Sequence, residues 1–117
     1  MLARTNRLTA GEDFRHALRR GRRAGTPTLV VHLLPSDPST ESTAPVRVGF
    51  AVSRAVGPAV VRNRVKRRLR HLVRERLGGL PPGAMLVVRA LPPAAAASYA
   101  DLGGDLDRGL RRAGDAT

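Results

Sequence analysis

The chain has 117 residues, 42% of them hydrophobic, enough for one domain with a modest core. Lys and Arg number 21 against 9 Asp and Glu, a net charge of +12 that draws polyanions and is foreign to ordinary small-molecule enzymes. Cysteine is absent, which excludes disulfides and thiolate metal sites, and no apolar run approaches the ~18–20 residues that span a membrane.

The N-terminal run MLARTNRLTAGEDF lacks the apolar segment of a signal peptide, so the cytoplasm is the expected location. Residues 1–8 form a basic arm with Arg4, Asn6 and Arg7. Thr9-Ala10-Gly11-Glu12 has capping-box spacing and predicts a helix from about Ala10 to Arg20. Phe14, Ala17 and Leu18 share one side of it, and Arg19 and Arg20 sit at its C-terminal end, where cations suit the helix dipole. Gly21 is the expected stop, and a short strand is expected near Arg23–Thr26.

Thr28–Leu34 is β-branched and aliphatic and reads as a strand. Residues 35–45 form a polar surface loop. Val46–Ser53 alternates, with Val46, Val48, Phe50 and Val52 on one face, and predicts a strand paired antiparallel to the preceding one across the loop.

Gly57–Leu77 holds eight of the Lys and Arg residues against one acid, Glu75. Val61, Val65, Leu69, Leu72 and Val73 recur at spacings of three and four, the mark of a helix with one buried face. At about 100° per residue they fall within a third of a turn. Asn63, Arg64, Arg67, Arg68, Arg70, His71 and Arg74 fall on the opposite side. Solvated faces usually mix acids with bases; this one does not, and arginine forks match phosphate oxygens and stack on bases. The pattern favours nucleic-acid binding over simple solvation.

Gly78-Gly79 and Pro81-Pro82 end that helix. Ala84–Ala90 reads as a further strand, and Ser98-x-x-Asp101 caps a last helix carrying Tyr99, Leu102, Leu106 and Leu110. Gly103, Gly104 and Gly109 weaken this helix by roughly 1 kcal/mol each relative to Ala, so packing must hold it. Residues 114–117 are expected to form a disordered tail. The order is that of an α+β sandwich in a single domain of residues 1–117.

No catalytic constellation emerges. His16, His32 and His71 are scattered, Ser53 has no adjacent base, and phosphate-loop patterns are absent. The residues describe a binder with no side-chain metal site. Phe14 has two readings, a core residue or an exposed ring for base stacking.

Arg47-Val48-Gly49-Phe50-Ala51-Val52-Ser53, followed by Arg62-Asn63-Arg64-Val65-Lys66-Arg67 and Leu69-Arg70, resembles the protein subunit of bacterial ribonuclease P. Asn6-Arg7-Leu8, Asp13-Phe14 and Val87-Val88-Arg89 agree with it. The resemblance implies an α-β-β-β-α-β-α fold with a left-handed crossover through the basic helix, like the second domain of a small-subunit ribosomal protein. It implies catalysis by an RNA with Mg²⁺, removing the 5′ leader of precursor tRNA, with the catalytic RNA and precursor tRNA as partners and neither membrane nor DNA. Carried over by motif, Arg62, Asn63, Arg64, Lys66, Arg67 and Arg70 meet the catalytic RNA. Phe14 and His32 face the leader, and Arg4, Arg7, Arg19 and Arg20 support RNA binding. Two departures stand out: Leu18 and His32 occupy positions where relatives carry aromatics. A structural ribosomal-type RNA-binding protein shares the charge but not the linked motifs. A DNA-binding helix-turn-helix module is disfavoured, since no short helix precedes the basic one.

Overall fold

Along the chain run helix α1 (Gly11–Arg20), strands β1 (Arg22–Gly25), β2 (Leu29–Leu34) and β3 (Arg47–Ala51), helix α2 (Ala59–Arg74), strand β4 (Met85–Ala90) and helix α3 (Tyr99–Asp115). The structure, a computed structural model, describes residues 3, 6–8, 11–36 and 44–115. Thr9 and Ala10 of the expected capping box, Arg4, and most of the 35–45 loop lie outside those residues.

The sheet order is β1-β2-β4-β3. β2 pairs antiparallel with β1 and with β4, while β3 pairs parallel with β4. The expected β2–β3 hairpin is therefore not formed; β4 lies between the two strands. Alternation fixes which face of a strand is buried but not which strand lies beside it. A parallel β3–β4 pair needs a long crossover, and α2 supplies it. β4 takes the inner position because Leu86, Val87 and Val88 are buried on both faces of the sheet.

One face of the sheet meets α2 and α3. Leu29, Val31, Leu33, Val48, Leu86 and Val88 pack there with Val65, Leu69, Leu72 and Val73 of α2 and with Leu102 and Leu106 of α3. Among the described residues the other face carries α1 and Leu8, with Ala17, Phe14 and Leu18 packed against Val87, Met85 and Leu8. Residues 6–8 of the basic arm are tied to the free edge of β3. Asn6 Nδ2 donates to the Val46 carbonyl at 2.8 Å and Leu8 N to the Val48 carbonyl at 2.8 Å.

The N-terminus of α3 is capped as expected, with Asp101 N donating to Ser98 Oγ at 3.0 Å. Asp105, 3% exposed, ties the helix to the sheet by accepting from Thr28 N and Thr28 Oγ at 3.1 and 2.6 Å, and it also pairs with Arg108. Burial opposes its charge, but these donors hold its carboxyl below the usual aspartate range. Gly114 and Asp115, expected in a disordered tail, are instead the last residues of α3. Arg22 Nη1 donates to the Gly114 carbonyl and Arg112 Nη1 to the Gly25 carbonyl, joining this end to β1.

The glycines of α3 are not equivalent. A Cβ on Gly109 stands 2.6 Å from Cγ2 of the buried Val31, whereas one on Gly104 meets only Arg108 Nη1, at 3.8 Å. Gly109 is the price of close helix-on-sheet contact. Gly109→Ala should destabilise the fold by about 1–3 kcal/mol through overpacking, although alanine is the better helix former. Gly104→Ala should stabilise it by up to about 1 kcal/mol. Denaturant unfolding of both variants checks the opposite signs; two stabilising substitutions would refute the contact.

Candidate nucleic-acid interface

The buried stripe of α2 sets the direction of everything else on it. With Val65, Leu69, Leu72 and Val73 turned into the core, Asn63, Arg67, Arg70, His71 and Arg74 are exposed and Arg62, Lys66 and Arg68 half-buried. Asn63, Lys66, Arg67, Arg70 and His71 line a concavity of about 410 Å³. Asn63, Arg67 and His71 follow one another at spacings of four, so their side chains stack along one side of the helix. Pro58 stands just outside the helix as its N-cap, with no side-chain cap. The first turn of α2 has no acid, so nothing on the helix itself neutralises the row there.

Arg64 and Arg68, expected on the free side, lie on a flank and are already engaged. Arg64 Nη2 donates to the Ala95 carbonyl at 2.9 Å and Arg68 Nη1 to the Ala97 carbonyl at 3.3 Å, gripping the chain around the short turn Pro92–Ala95. Arg64 Nε is buried without a hydrogen-bond partner among the described residues. Arg62 Nε donates to the Gly57 carbonyl at 3.1 Å and braces the turn before the helix. Arg76 is a latch to α3: its Nε and Nη2 meet Asp107 at 2.5 and 3.2 Å, which raises the guanidinium and lowers the carboxyl. Periodicity separated buried from unburied positions; it gave no sign of which unburied arginines find carbonyls across a helix flank.

A second group gathers on the α1 face of the sheet. Phe14 is half-buried with its ring on the backbone of Gly49, where an added Cβ would stand 2.6 Å from Phe14 Cε2. It is neither a wholly buried core residue nor a free stacking ring. His32 is 4% exposed, and neither ring nitrogen has a hydrogen-bond partner among the described residues. The strand register sets it opposite Arg23 on β1 and Val87 on β4, with Arg89 one step along the same face. Burial, then the charges of Arg89 and Arg23, push its pKa below the usual histidine value. Arg47 Nη1 binds Asp13 at 2.7 Å and fastens α1 to β3. Arg23 and Arg89 are exposed, and neither is among the site residues expected from the sequence. They lie on different strands from His32, so only the strand register brings the three together. Arg7, Arg19 and Arg20 are exposed. Thus the motif residues 62, 63, 66, 67 and 70 come together on α2, and Phe14 and His32 lie on the opposite side of the sheet. Among the described residues no group of three or more His, Cys, Asp or Glu could hold a metal ion.

Residues 2–114 match the family model described as Ribonuclease P. The chain is 62% identical over 114 residues to the ribonuclease P protein component of Nocardioides sp., covering 97% of this chain and 96% of that protein. It is 60% identical over 116 residues to that of Streptomyces bikiniensis, covering 96% and 94%. Among solved structures, the fold superposes on the RNase P proteins of Staphylococcus aureus (TM-score 0.77, 24% identity, 92% and 94% covered) and Thermotoga maritima (0.76, 24%, 91% and 98%). At that identity the two structures speak for the fold.

The buried neutral His32 makes stability pH-dependent. Its folded pKa lies below the unfolded value near 6.5, so the folded state binds fewer protons and stability falls as pH drops below about 6.5. The slope should approach, at most, about 1.4 kcal/mol per pH unit. Urea unfolding between pH 7.5 and 5 should show the loss in the parent chain and a flatter profile in His32→Leu.

Proposed function

The chain belongs to the ribonuclease P protein family, and from that premise we propose that it works with a catalytic RNA to remove the 5′ leader of precursor tRNA, α2 docking on that RNA. One observation carries the docking surface: the exposed side of α2 is an arginine-rich concave row whose opposite side is locked in the core. Such a row neutralises phosphates and releases their counterions. Arg67, Arg70, Lys66 and Asn63 are its working members. Arg62 and Arg64 bind the RNA only with the N–H groups that their carbonyl contacts leave free.

The leader is assigned to the α1 face of the sheet, where Arg23 and Arg89 are exposed beside the buried His32, and Phe14 is half-buried on the same face. Arg23 and Arg89 hold backbone phosphates there, and Phe14 offers the part of its ring that Gly49 does not cover. Arg4, Arg7, Arg19 and Arg20 add general attraction. Cleavage belongs to the RNA, with Mg²⁺ as its metal. The side chains of this protein bind and position, and none is assigned a chemical step.

The two surfaces can be separated by variants at residues whose side chains make no hydrogen bond or ion pair among the described residues. Arg67→Ala with Arg70→Ala should weaken binding to the catalytic RNA by about 1.5–3 kcal/mol per lost group and make the salt dependence shallower, leaving the melting point unchanged. Arg23→Ala with Arg89→Ala should spare that binding and weaken precursor tRNA relative to mature tRNA. Equal losses for both tRNAs would remove the leader assignment. Phe14→Ala is a poor probe, since the lost packing on Gly49 and Val87 lowers stability as well. Protein freed of RNA should leave precursor tRNA intact; metal-dependent cleavage by it would overturn the division of labour.

A further inference from the structure

Neither of these surfaces includes a groove of about 470 Å³ beyond the C-terminal end of α2, between the turn that follows it, the end of β2 and the last turns of α3. Leu33, Leu80 and Leu110 supply apolar lining, with Pro35 and Pro81 beside them. Arg22, Arg111 and Glu75 supply charge. We propose that this groove takes one unstacked nucleotide of a bound RNA strand, its base on the leucines and its phosphate on Arg111 and Arg22.

The polar groups around the groove divide into used and unused. Arg76 is committed to Asp107 and to the Leu72 carbonyl. Among the described residues the Arg111 side chain makes no hydrogen bond or ion pair, though its charge helps hold the Asp107 carboxyl down, and the Arg22 side chain makes only the 3.5 Å bond to the Gly114 carbonyl. Two guanidiniums therefore remain for an anion, in the fork geometry that suits phosphate. The Glu75 carboxylate is two-thirds exposed and only 3.8 Å at best from Arg76, so it can accept from the N–H groups on a base edge. An apolar lining with a few convergent polar groups is the usual make-up of a small-ligand site. The occupant is set by place and charge. α2 ends at Arg74 and its C-cap Glu75 lines the groove, so the groove opens at the C-terminal end of the helix that carries the exposed basic row. Unpaired RNA is the form in which a base can leave its stack and enter.

The test uses the full chain, 5′-GMP and inorganic phosphate as small probes, and a single-stranded pentaribonucleotide containing one guanine. Guanine is chosen because it presents adjacent N–H donors to a carboxylate. In amide NMR titrations GMP should shift Leu33, Leu80, Leu110 and Arg111, and the pentaribonucleotide should bind more tightly and shift Arg70 and Arg74 as well. Arg111→Ala should weaken GMP by about tenfold or more. Gly79→Leu should do the same by filling the groove, since a Cβ at Gly79 meets nothing within 4 Å. Melting points should stay unchanged; if Gly79→Leu lowers its own, Arg111→Ala alone decides. GMP shifts confined to other surfaces, or unaltered by Arg111→Ala, overturn the site. Inorganic phosphate binding as tightly as GMP makes it an anion site without a base pocket. A pentaribonucleotide no tighter than GMP makes it a free-nucleotide site, and the RNA assignment fails.

Discussion

Burial of Val65, Leu69, Leu72 and Val73 fixes the rotation of α2 about its own axis, and with it the direction in which Asn63, Arg67 and Arg70 face. A helix turned by a quarter of a revolution would sink guanidiniums into hydrocarbon, at the steep cost of an unpaired buried charge. Hydrophobic packing, not electrostatics, therefore aims the basic row. The parallel pairing of β3 with β4 reinforces the same constraint, since α2 must cross between two strands lying side by side.

The few carboxylates complete the arrangement by where they stand. Asp13 joins α1 to β3, Asp105 joins α3 to the β1–β2 turn, and Asp107 joins α3 to α2. Each sits at a junction between elements, and none faces the exposed row. A chain of charge +12 pays for compactness with self-repulsion. Placing these three of its nine acids at junctions relieves that repulsion locally and keeps them off the exposed row of α2.

The same division runs through the arginines. Arg64 and Arg68 grip carbonyls beyond β4, Arg62 braces the entry turn, and Arg76 closes on Asp107. Arg67, Arg70 and Arg74 point outward. Motif residues of one type at adjacent positions thus do different work, and a substitution at Arg64 perturbs the Pro92–Ala97 segment as well as any RNA contact.

The sequence by itself determined the elements of this fold, the buried stripe of α2, the Ser98 cap and the family, because those follow from periodicity, local capping chemistry and linked motifs. It also placed Asn63, Arg67, Arg70 and His71 on the outer side, since a helix has one azimuth once its apolar side is known. Only the tertiary structure decided that β4 separates β2 from β3, because strand alternation specifies a face and not a neighbour. Only it showed Arg64 and Arg68 bound to carbonyls some thirty residues away, and α3 continuing through Gly114. It alone put His32 under cover beside Arg23 and Arg89 and set the Phe14 ring on Gly49. Each of these depends on contacts between segments distant in the chain, which local pattern does not encode.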